Sequence, residues 1–350
     1  MNKQTLFSIV EIVLFTFSFF TALVRLPLIK INSKQIIISL FTIIIISIGF
    51  YTTDGDYHIG LLKVILFFSF IYLGYEYKKA AVWIVVIILL TNSAMSYFSN
   101  WKLDKFSAIP ISFIALLITS FYVKSKNIKY LLITLIIIDI IQNIYTEYRG
   151  QLLYCFLILF CITFNISIYK KISSLFLITC VGYIVTLYFI GLSYFSLQET
   201  ILPPTASNIE RSSMIYWCIN SIPNYLFNAP TVQVFQENAG VYKTIYSMSS
   251  HIPNDPHNFL LMLYIFLGFF PATIFFCLIY FLIKKGESRW IKNQERPWIK
   301  NRDNYITLAI FQVIIIFSLH PFDHLSRLIV GMTFGLFVIS ERRKYKRKVI

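Results

Sequence analysis

Few residues in this chain have both the type and the setting to do chemistry. His257 is flanked by Asp255 and Asn258, where a long polar stretch gives way to apolar sequence. An imidazole titrates near neutral pH, which suits a general base acting on a sugar hydroxyl. Upstream, Ser207-Asn208-Ile209-Glu210 matches a capping box, and Ile215, Cys218, Ile219 and Ile222 follow at helical spacing. The spacing predicts a helix over 208–222, lying on a membrane or on a helix bundle. Arg211 falls in its first turn. Free N–H groups at a helix start attract anions, and a guanidinium offers a planar fork to phosphate. Arg149 is the basic residue of a very short turn, Thr146-Glu147-Tyr148-Arg149-Gly150. Each has a plainer alternative: an interfacial structural histidine, and an arginine paired with Glu210 or with a lipid headgroup.

The elements that must position these residues are apolar. The chain has 350 residues, of which 57% are hydrophobic and only 13% charged. Soluble domains carry about a quarter of their residues as charge, so the composition predicts an all-α, polytopic membrane bundle. Spans of about 20 apolar residues are expected near 5–24, 35–52, 59–77, 80–97, 107–123, 130–147, 151–169, 173–197, 258–283, 305–319 and 328–340. This divides the chain into an N-terminal bundle (1–197), a long loop (198–257), a C-terminal set of spans (258–340) and a basic tail (341–350).

Charge placement gives the orientation. The net charge is +15, yet 23 of the 31 Lys and Arg residues collect on one face of this weave, including Lys170, Lys171 and seven between Lys284 and Arg302. The positive-inside rule makes that face cytoplasmic. The loop then lies outside, the N-terminus is outside, and Met1-Asn2-Lys3 opens an uncleaved span. The excess is topological and does not point to nucleic acid.

Several polar residues fall within spans. Glu11 and Lys63 are expected either to pair, because either alone is costly in lipid, or each to reach outward to water independently. Asp139, Gln142, Asn143 and Thr146 form one helical face that should line a wet cavity rather than glue helices together. The tandem Trp290-Ile291-Lys292-Asn293 and Trp298-Ile299-Lys300-Asn301 suggests either an interfacial segment on anionic lipid or a solvated basic loop. Five cysteines show no disulfide framework or zinc spacing. Pro321 breaks the helix that would align His320 with His324, His251 has no obvious partner in sequence, and His58, after Asp54-Gly55-Asp56, is likewise not expected to bind metal. No metal or other cofactor is expected.

Taken together, Arg149-Gly150 in a short outer turn, Arg211 followed by an apolar run to Trp217, and His257-Asn258, nine residues, then Gly268 resemble the O-antigen ligase/polymerase superfamily of bacterial envelope proteins. More loosely, Tyr57 to Lys63 and Asp104-Lys105 are similar to stretches of the enterobacterial ligases. The chain departs from the family pattern at Pro271, at Asn228-Ala229-Pro230-Thr231, and in showing eleven expected spans where relatives usually have twelve.

The resemblance implies an inner-membrane enzyme of lipopolysaccharide biosynthesis, acting on the periplasmic face. It would transfer a glycan from undecaprenyl diphosphate to a sugar of the lipid A core, without metal and with inversion. Arg149 and Arg211 would hold the diphosphate, and His257 would activate the acceptor hydroxyl. Asp255 or Asn258 would orient that histidine. A polymerase of the same superfamily, or a lipid-linked glycan flippase, are the alternatives.

Overall fold

A computed structural model describes residues 3–25, 57–98, 111–122, 128–145, 149–164, 170–195, 206–230, 258–294, 307–312 and 324–337. Every regular element among them is helical, with no strand. The first six helices are α1 (Lys3–Arg25), α2 (Tyr57–Glu76), α3 (Lys78–Phe98), α4 (Ile111–Tyr122), α5 (Ile128–Tyr145) and α6 (Arg149–Thr163). A long rod follows, built of α7 (Ile172–Leu177), a π-turn (Ile178–Gly182) and α8 (Tyr183–Phe195). Then come α9 (Ala206–Ser221), α10 (Phe259–Leu267), α11 (Phe269–Gln294) and α12 (His324–Phe337). Among the described residues two helices are long and apolar enough to cross a membrane, Ile172–Ser193 and Phe269–Ser288. The expected span at 35–52 and the basic tail lie outside the described residues.

The tightest packing is α12 on α2. Gly331 and Gly335 of α12 stand one turn apart, facing Phe67, Phe70 and Ile71, then Ile71, Gly74 and Tyr75. A Cβ on Gly331 would lie 2.7 Å from Phe70 Cβ, and one on Gly335 would strike the Ile71 carbonyl. Small residues at this spacing let two backbones touch, as in membrane helix pairs. Residue numbers rise together along both helices, so they run parallel. α1 joins them in the same sense, through Glu11 to Arg327 and through Ser18 Oγ donating to Ser69 O at 3.2 Å.

The expected single span at 258–283 is in fact two helices folded back on each other. Phe259 at the start of α10 lies 6.3 Å, centroid to centroid, from Phe276 of α11, and Phe176 of α7 touches both rings at 6.1 and 5.3 Å. The reversal occurs at Gly268, whose φ of +83° favours glycine. Pro271 is tolerated because it falls in the first turn of α11, where no intrahelical N–H is needed. At nine residues α10 is about 13 Å long, less than half a bilayer core.

The loop helix is present but starts at Ala206, so Ser207 lies within its first turn and not ahead of it. It docks on the bundle, antiparallel to α8. Gly191 meets the Ser212 carbonyl, and Tyr188 stacks on Tyr216 at 5.7 Å. Met214, Ile215, Trp217 and Cys218 are all buried by this contact and by the neighbouring α10.

Candidate functional site

Asn258 is the best-defined member of the predicted set. It is fully buried and caps α10, its Oδ1 accepting from Leu260 N at 3.0 Å and from Leu261 N at 3.2 Å. Its Nδ2 donates to the Cys180 carbonyl at 2.9 Å. Cys180 lies inside the π-turn, where the changed register re-aims backbone carbonyls. The side chain therefore staples the start of α10 to the middle of the α7–α8 rod. Cys180 is the ninth residue of the apolar window Ile172–Ser193, so Asn258 begins its helix well inside the bundle. The sequence had set this motif at the water–lipid boundary. With its Oδ1 accepting twice and its Nδ2 donating to Cys180, Asn258 fixes the position of α10.

Gly268, at the other end of α10, makes the second connection. The backbone of Phe227 and Asn228, just beyond α9, lies directly on it: a Cβ there would be 2.7 Å from Asn228 O and 2.9 Å from Phe227 O. Phe269 N and Phe270 N donate to the carbonyls of Tyr225 and Leu226 at 3.0 and 2.9 Å. Between the two ends, Ser221 Oγ and Tyr264 Oη share a buried hydrogen bond of 2.8 Å. The nine-residue spacing from Asn258 to Gly268 is thus the length of α10. It ties the helix carrying Arg211 to the helix that His257 precedes.

Arg211 is half-buried and, among the described residues, has no ion pair or hydrogen bond. Its neighbour Ser212 lies level with Gly191, whereas Asn258 lies level with Cys180. Eleven helical residues separate those levels, about 16 Å. A ligand meeting both would have to extend along α8. Arg149 begins α6, which packs chiefly on α5, and its side chain is outside the described residues. Asp255 and His257 also fall outside them. Burial holds the Cys218 thiol of α9 well above the ordinary thiol range.

Several other polar residues of the expected spans are engaged with neighbouring helices. Glu11 is gripped by Arg327: Nη2 donates to both carboxylate oxygens at 3.1 Å and Nε to one at 3.2 Å, with both side chains buried. Lys63 carries its ammonium 4.3 Å from the ring centre of Phe266, near the α10–α11 turn. Two residues of the α5 stripe act as packing glue. Asp139 accepts from Ser112 N at 2.7 Å, capping α4, and Asn143 Nδ2 donates to Cys155 Sγ at 3.7 Å. Gln142 is exposed, and Thr146 is outside the described residues. Among the described residues no group of His, Cys, Asp and Glu could hold a metal.

Sequence reasoning did not find Arg327, the π-turn, or the Ser221–Tyr264 pair. The spacing Gly331-Met-Thr-Phe-Gly335 could have revealed the α2–α12 contact. Compared with protein-family models, with curated proteins and with solved structures, the chain matches none.

Proposed function

We propose that this chain is an O-antigen ligase, a polytopic bacterial inner-membrane enzyme with its active site reached from the periplasm. The carrying observation is the double connection of α10. Asn258 is fixed to Cys180, and Gly268 is fixed to the strand of chain leaving α9. These are the two ends of the His-Asn, nine, Gly pattern on which the family resemblance rests, and α9 carries Arg211.

The surface supports a lipid-embedded bundle. Large apolar side chains lie exposed at helical spacing on several helices: Trp83, Ile87 and Leu90 on α3; Leu153, Phe156 and Phe160 on α6; Ile178, Val181, Val185 and Phe189 on the rod. Contiguous apolar surface of this extent is rare on water-facing proteins. The parallel packing of α1, α2 and α12 also agrees with the inward direction that charge placement assigns to each of their spans.

In this reading Arg211 and Arg149 neutralise the diphosphate as it leaves. His257 takes the proton from the acceptor hydroxyl while that oxygen forms its bond to the anomeric carbon. The bond from that carbon to the diphosphate breaks, releasing undecaprenyl diphosphate and inverting the centre. A deletion strain tests the assignment. Without this ligase no polymer should reach the lipid A core, and loss of a polymerase would still leave single repeat units there. Single units on the core of the deletion strain would overturn the ligase reading.

A further inference from the structure

A cluster of lysines, far apart in the sequence, converges at the opposite end of the two longest apolar helices. Ser173, near the start of α7, donates its backbone N–H to Glu287 Oε2 of α11 at 3.2 Å, and its hydroxyl donates to the same oxygen. Ser173 and Glu287 are both buried. Lys170 and Lys171 immediately precede α7, and Lys284 and Lys285 lie within one turn of Glu287 on α11. The Ser173–Glu287 contact therefore gathers all four around one corner, and all four are exposed.

Three of these charges are not consumed inside the described part of the protein. Among the described residues Lys171, Lys284 and Lys285 form no ion pair, and the Lys284 ammonium lies 6.0 Å from the ring centre of Tyr280. Glu287 directs its buried oxygen at Ser173 instead. The apolar windows Ile172–Ser193 and Phe269–Ser288 begin and end at this corner, which sets the ammonium groups at headgroup depth if the two helices cross a bilayer.

We propose that this corner is a binding site for the phosphate headgroup of an anionic phospholipid. Charge complementarity selects the occupant: clustered ammonium groups between two helix ends, next to lipid-exposed apolar surface, suit a phosphate that is itself anchored by acyl chains. The inference rests on the reading that α7–α8 and α11 span a membrane, and it is independent of the transferase assignment.

The test uses the full chain in lipid nanodiscs containing spin-labelled phosphatidylglycerol or spin-labelled phosphatidylcholine. The motionally restricted fraction is compared between the two probes. The wild type should prefer phosphatidylglycerol, and 0.5 M salt should weaken the preference. The Lys170→Gln/Lys171→Gln/Lys284→Gln/Lys285→Gln variant should lose at least about fivefold of it. Each lysine pair changed alone should lose part, which keeps the test open if the fourfold variant inserts poorly. Lys78→Gln/Lys79→Gln, at a different helix junction, should change it little. Undiminished preference in the fourfold and pairwise variants, or an equal loss in the Lys78/Lys79 control, would overturn the site. Failure of the wild type to resist carbonate extraction would instead overturn the membrane reading beneath it.

Discussion

Replacing Asn258 by alanine removes three hydrogen bonds at once, and the structure says what each is worth. Losing the cap leaves the N–H groups of Leu260 and Leu261 without their acceptor, a loss of about 1 kcal/mol. Losing the amide donor leaves the Cys180 carbonyl without that partner in the interior, a further ~1–3 kcal/mol. The Asn258→Ala protein should therefore be destabilised by ~2–4 kcal/mol in denaturant titrations of the purified protein in detergent. Asn258→Ser keeps a capping oxygen but does not reach Cys180, so it should lose less than alanine. Asn258→Asp keeps the acceptor and turns it against the Cys180 carbonyl, so it should lose at least as much as alanine. If Asn258→Ala unfolds within about 0.5 kcal/mol of the wild type, the level of an ordinary surface change, the staple is not holding α10.

Other perturbations follow from the same contacts. Gly268→Ala should be destabilising, because the φ of +83° and the Asn228 carbonyl 2.7 Å away both oppose a Cβ; limited proteolysis should detect release of the chain after α9. Breaking the buried ion pair with Glu11→Gln or Arg327→Met should each cost ~3–5 kcal/mol, and the double change should cost less than the two singles summed. A variant retaining only Cys218 should resist alkylation as the pH rises past the usual thiol pKa of about 8.5, since burial keeps the thiol protonated. The sign for stability is the reverse: above that pH the unfolded chain loses a proton that the folded one keeps, so stability should fall as pH rises.

Local pattern made part of this fold legible. The capping sequence and apolar spacing located α9 to within two residues, because both signals lie inside one helix. Gly268 followed by Pro271 was also a stop-and-restart signal of the usual kind. Apolar length over 258–283 outweighed it, and a continuous span was expected where a reversal stands. The contact of Glu11 with Arg327 could not be read locally: Arg327 lies 316 residues away, and packing of α12 against α1 and α2 brings it there. The α5 stripe is ambiguous for a related reason. Its period marks a polar face correctly, but the period is the same whether the face meets water or caps a neighbouring helix. Of the site itself, sequence gave the spacing from Asn258 to Gly268, and the structure supplied its meaning as the length of α10.

The transferase reading is tested most directly with purified protein in detergent, an undecaprenyl-diphosphate-linked glycan as donor, and lipid A-core oligosaccharide as acceptor, with chelator present and no ion gradient. The wild type should join glycan to core, and His257→Ala should abolish transfer while its unfolding transition stays like that of the wild type. Wild-type rates from the His257→Ala protein, or no transfer by the wild type itself, would contradict the account.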